Sequence, residues 1–83
     1  MAAGPALKAE LFSVEWQPVS SSNVAAVGYV PDFARLHVRF HNGSSYVYLD
    51  VPESIYSGLL GAASVGRYLH LHVKNRFGYV RTS

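Results

Sequence analysis

The side chains in this chain that could do chemistry are histidine, arginine, lysine and tyrosine, and they do not form a nucleophile set. Cysteine is absent, which closes thiol catalysis, thiolate metal cages and disulfides together. Serines are frequent, but none stands in a Gly-x-Ser-x-Gly turn. The carboxylates Glu10, Glu15, Asp32, Asp50 and Glu53 make no evident acid/base pair. Asp50 and Glu53 read more simply as charges at a helix start. In His70-Leu71-His72 two imidazoles lie two residues apart. On a strand they would share a side, and His37 or Asp50 could complete a metal site. On a helix they would not face each other. Solvent-facing histidines on a basic surface are the plainer reading, so no metal or other cofactor is expected. The most defensible enzyme would be a small nuclease with His70 or His72 as general base, but the chain as a whole reads as non-catalytic.

A different chemistry is better represented. From Ser64 to Ser83 the basic residues are Arg67, Lys74, Arg76 and Arg81, with His70 and His72 beside them and no Asp or Glu. If they share a face, the domain presents a positive patch suited to phosphates. Tyr46 and Tyr48 lie two apart on an alternating segment, so they share one strand face and could stack on unpaired bases. Arg35 and Arg39 would extend the patch if their strand exposes its outer face. The expected partner is RNA or single-stranded DNA, bound weakly through Tyr46, Tyr48, Arg67, Lys74, Arg76 and Arg81. Against this stand core tyrosines whose hydroxyls reach the rim, and an ordinary solvated basic face. The rival function is docking to a larger protein or self-association, since tyrosine and arginine also suit interface centres.

The elements that must position these residues follow from composition and pattern. A chain of 83 residues holds one domain. Hydrophobic residues make up 49% and charged ones only 14%, which favours a folded domain over a basic disordered tail. No apolar run approaches the roughly 20 residues that span a bilayer. The first residues lack the pattern of a signal peptide. The expected location is therefore cytoplasmic, away from any membrane. Residues 1–18 read as a partly flexible leader in which Leu11, Phe12, Val14 and Trp16 could form a short strand ended by Pro18.

Val24 to Val30 predicts a strand, with Gly28 marking a bulge or a close backbone approach. Leu36, Val38 and Phe40 alternate with Arg35, His37, Arg39 and His41, which predicts a half-buried strand with a wet, basic face. Asn42-Gly43 predicts a type I′ hairpin into a strand from Ser44 to Asp50. There Ser45, Val47 and Leu49 alternate with Tyr46, Tyr48 and Asp50, and either face could be the inner one. Pro52, Glu53, Ile55, Tyr56, Leu59 and Leu60 predict a short helix limited by Gly58 and Gly61. Ser64 is a candidate N-cap. Beyond it, helical spacing (Tyr68, Leu69, His72, Val73) competes with strand alternation (Leu69, Leu71, Val73); we take the helix, continuing to about Asn75. Phe77 and Tyr79 then pack back or pair with the sheet edge. The fold class is α+β, a small three-stranded antiparallel meander against one or two short helices.

The order of these segments resembles the KTSC domain, a small module of bacterial and phage proteins that is also appended to the C-terminus of some lysyl-tRNA synthetases. The resemblance runs from about Val19 to Tyr79, within a domain placed at residues 19–80 and followed by a tail, 81–83. It is carried by VSSSNVAAVGY at Val19–Tyr29, LHVRFHNGSSYVY at Leu36–Tyr48 and VPESIYSGLLGAASVGRYL at Val51–Leu69. Tyr46-Val47-Tyr48 matches the family's central Tyr-x-Tyr, and Ser64, Gly66, Arg67 and Tyr68 match its Ser-x-Gly-x-Tyr-like segment. Val65 stands where a lysine or similar residue is usual, and Phe77 replaces a tyrosine. Those departures remove one positive charge and one hydroxyl from any nucleic-acid role that the synthetase fusions suggest.

Overall fold

The structure, a computed structural model, describes Glu10 and residues 14–83. Leu11, Phe12 and most of the expected leader lie outside the described residues. Five strands form one antiparallel sheet in the order β1-β2-β3-β4-β5: β1 (Gln17–Pro18), β2 (Val24–Val30), β3 (Arg35–Phe40), β4 (Ser45–Tyr48) and β5 (Tyr79–Arg81). Two helices, α1 (Glu53–Leu60) and α2 (Val65–His72), lie between β4 and β5 in the chain. The expected three-stranded meander is therefore the centre of a wider sheet. The added edge strands have two and three residues, too short to carry a readable alternation. Pro18 sits in an edge strand, where a missing donor is tolerated.

The bulge in β2 decides which side chains meet. Val24 pairs with Phe40 and Ala26 with Arg39, so Ala25 is the extra residue. Without it Val24 and Val27 would point to opposite faces. With it, both are fully buried beside Leu36 and Val38. Gly28 has the other role expected of it. A Cβ there would lie 2.6 Å from Val14 Cγ2 and 2.9 Å from the Glu15 carbonyl oxygen, so only glycine lets the preceding segment cross this close.

The β3–β4 hairpin differs from the type I′ expectation. The Gly43 amide donates to the Phe40 carbonyl at 3.0 Å, and Gly43 alone in the loop has a positive φ, +92°. Phe40 also donates to Ser44 at 2.9 Å, leaving a three-residue loop of a type I turn followed by a left-handed glycine. Asn42 stabilises it by accepting from the Ser44 amide at 2.9 Å and hydroxyl at 2.7 Å.

Pro52 is extended and immediately precedes α1, and Gly61 closes it by donating to Ser57 at 3.2 Å. Ser64 caps α2, its hydroxyl accepting from the Arg67 amide at 3.2 Å. Val65, Leu69 and Val73 are buried four residues apart while Leu71 is 49% exposed, which settles this segment as a helix. The two helices approach where Gly58 faces the Tyr68 ring. Tyrosines 46 and 48 share the helix-facing side of the sheet with Leu36, Val38 and Phe40, and Tyr48 joins the core with Val51, Leu59 and Leu69. Each such side chain contributes about 1.5–3 kcal/mol when fully buried.

The opposite face is not the wet basic surface that the alternation suggests. His37 is fully buried there and contacts buried Glu10 at 2.6 Å through Nε2; Arg35 reaches the other Glu10 oxygen at 2.6 Å. The Trp16 ring meets His37 edge-on, and the Arg39 guanidinium lies 4.2 Å from the centre of the Trp16 ring. Residues ahead of β2 thus cover the second side of the sheet. No helix among the described residues is long and apolar enough to cross a membrane.

Candidate nucleic-acid interface

A concave space opens between the β3–β4 hairpin and the C-terminal end of α2. It is a cleft of about 700 Å³. Its aromatic wall comes from Phe40, Tyr46 and Tyr48 on neighbouring strands and from Tyr79 on β5. Pairing of Tyr48 with Tyr79 across β4 and β5 brings the last ring in. The Tyr46 and Tyr79 ring centres are 5.5 Å apart and those of Phe40 and Tyr46 are 5.7 Å apart, edge to face. Lys74 and His70 line the helix side, and Asn23, His41, Asn42 and Asn75 contribute to the polar lining. Among the described residues, no Asp or Glu lines the cleft. Lys74 holds its ammonium 5.8 Å from the Phe40 ring centre, a cation–π contact at the mouth of an aromatic wall.

The expected site residues separate into groups. Tyr46, Tyr48 and Lys74 meet in the cleft. Arg81 flanks it, with its guanidinium 6.0 Å from the Tyr46 ring centre. Arg76 is exposed just beyond α2, its Nε donating to the Leu71 carbonyl at 3.2 Å. Arg67 sits in the first turn of α2, beside a shallower depression formed with the Ser20–Asn23 loop. Ser22 and Asn23 line both hollows and connect them. Arg35 and Arg39 lie on the opposite face of the sheet and do not extend this surface.

The two tyrosines are not equivalent. Tyr48 is 4% exposed and forms the back of the cleft rather than an open stacking platform. Burial, and then the neighbouring Tyr46 and Tyr79, push its phenol above the ordinary value. Tyr46 is half-buried, and the open ring is Tyr79, at 61% exposure. Tyr79 was not among the sequence-derived site residues; the short strand that carries it gives no alternation to mark it. The His72 ring lies 4.5 Å from that of Tyr68. Among the described residues, no group of three or more His, Cys, Asp or Glu side chains is placed to hold a metal ion.

The KTSC domain family matches residues 20–77, more than half of the sequence. The chain belongs to the KTSC domain family. A protein of Tsukamurella paurometabola is 44% identical over 61 residues, covering 74% of this chain and 91% of the relative. A protein of Stutzerimonas stutzeri is 36% identical over 52 residues, covering 63% and 73%. The crystal structure of a KTSC domain protein from Yersinia pestis superposes with a TM-score of 0.79 at 35% identity, covering 84% of this chain and 99% of that one. In this KTSC domain the family match includes Phe40, Tyr46, Tyr48, His70 and Lys74 but stops before Tyr79 and Arg81. Of the residues that line the cleft, Tyr79 alone therefore lies C-terminal to the matched segment.

Proposed function

We propose that this KTSC domain is a non-catalytic module that binds single-stranded RNA or DNA weakly across the cleft. The observation that carries the reading is the cleft's composition: an exposed Tyr79 and half-buried Tyr46 beside the Lys74 ammonium, with no carboxylate in the lining. Aromatic rings accept bases of any identity, and cations nearby accept the phosphates between them. The occurrence of KTSC domains on lysyl-tRNA synthetases, implied by the resemblance in sequence, is in keeping with an RNA partner. Fluorescence anisotropy with a labelled mixed-sequence single-stranded RNA tests this. Affinity should fall several-fold in Lys74→Ala and Tyr79→Ala; wild-type affinity in both folded variants would remove the cleft from the function.

A second reading has its own observation. Tyr79 and Val80, 61% and 41% exposed, lie on an edge strand, and exposed edges pair readily with other strands. Docking to a larger protein or to a second copy would use β5 directly. It would depend less on salt than phosphate binding does.

A further inference from the structure

Two amides in the cleft have settled orientations. The Asn42 Oδ1 accepts from the Ser44 backbone amide, which can only donate. The Ser21 hydroxyl oxygen accepts from the Asn23 and Val24 amides and donates its proton to Asn23 Oδ1. The Asn42 oxygen accepts two hydrogen bonds and the Asn23 oxygen one, so donation through Nδ2 is the main capacity these two amides keep for a ligand. Together with the Lys74 ammonium, and with no Asp or Glu in the lining among the described residues, these amides give the cleft positive charge and donors, beside serine and histidine groups that can also accept. A ligand with acceptors and negative charge suits the Lys74 side, and a flat ring suits the Tyr46 and Tyr79 side. The cleft volume of about 700 Å³ lies within the usual range for a small-molecule site, roughly 300–1,000 Å³. Its scale is that of one or two nucleotides rather than a long strand.

We infer that the cleft grips a single nucleotide unit, with the base against Tyr79 and Tyr46 and the adjoining phosphate at Lys74. This rests on the proposed nucleic-acid binding and narrows it: the strand is held at one nucleotide, and neighbouring nucleotides add little beyond weak contacts at Arg81 and Arg76. Uracil suits the donor lining because both of its keto oxygens accept.

The test is an amide NMR titration of the whole chain with uridine 5′-monophosphate, uridine, inorganic phosphate, the dinucleotide UpU and an oligouridylate of about eight nucleotides. The expected result is that uridine 5′-monophosphate at millimolar concentration shifts the Tyr46, Lys74 and Tyr79 amides. Uridine and phosphate alone should bind at least about tenfold more weakly, and the octamer should bind within about tenfold of UpU. Tyr79→Ala, an exposed position, should weaken the mononucleotide and the octamer by the same factor. Octamer binding at this face without any response to the mononucleotide or UpU would overturn the single-nucleotide cleft while leaving nucleic-acid binding in place. An octamer bound more than about tenfold tighter than UpU would overturn it too, showing a strand read along its length. Silence with every ligand would overturn both readings.

Discussion

Lys74 places its ammonium 5.8 Å from the centre of the Phe40 ring, joining the end of α2 to the aromatic wall of the sheet. The pairing puts a positive charge next to aromatic rings in a cleft whose lining, among the described residues, holds no carboxylate. If Lys74 neutralises one phosphate, Lys74→Ala should reduce the slope of log affinity against log salt by about 0.7, the increment for one contact to a single strand. Anisotropy titrations at several salt concentrations measure it directly. An unchanged slope would show that Lys74 touches no phosphate.

Glu10 joins the segment ahead of the sheet to Arg35 and buried His37. Glu10→Ala leaves those groups covered but without that carboxylate, a change that costs about 3 kcal/mol in buried pairs. Urea denaturation should show the midpoint falling by a corresponding amount. A change within about 0.5 kcal/mol would mean that the contact adds nothing to the fold.

Gly28→Ala tests how the same segment crosses β2. In an exposed strand interior the substitution would be neutral or stabilising. Here the new methyl meets Val14 and the Glu15 backbone carbonyl, and backbone yields less easily than a side-chain tip. The expected cost is about 1–3 kcal/mol, with amide shift changes concentrated at residues 14–18. A variant as stable as the parent would show that the segment adjusts freely.

Tyr48 sets an alkaline limit. Its phenol is raised by burial and by its neighbours Tyr46 and Tyr79, so the folded state favours the protonated form relative to an unfolded value of about 10. That contribution is complete below about pH 10 and is lost as pH rises through the raised folded value. Tyr48→Phe has no proton to lose, so its stability should fall less steeply than the parent's above pH 10. Thermal melts of both proteins across that range compare them, and parallel curves would contradict the assignment. Tyr29 and Tyr56 are also raised, each chiefly by burial, and remain as a shared background in both proteins.

Much of the fold was legible because its signals are local. The β3 alternation placed Leu36, Val38 and Phe40 on one side correctly, and Ser64 marked the start of α2. What stayed hidden depended on contacts distant in sequence. The basic face of β3 looked wet because nothing near His37 in the chain reveals that Glu10, 27 residues away, covers it. Edge pairing at Tyr79 was one of two alternatives for the chain end and a short strand ending at Pro18 was anticipated, but two or three residues show no period that would make either a firm strand of the sheet. The same limit hid Tyr79, whose place in the cleft follows from pairing with Tyr48. Asn42-Gly43 gave the hairpin but not its turn type, since the loop takes three residues and needs only one positive φ. The basic residues of the last quarter read as one cluster, yet α2 separates Arg67 from Lys74 along its length.

The most direct test of the central claim is a backbone amide titration with a short mixed single-stranded RNA at low and high salt. The account predicts salt-sensitive shifts gathered at Tyr46, Lys74 and Tyr79, with smaller ones at Arg76 and Arg81. An undisturbed spectrum at millimolar RNA, or shifts confined to the Arg35–Arg39 face, would contradict it.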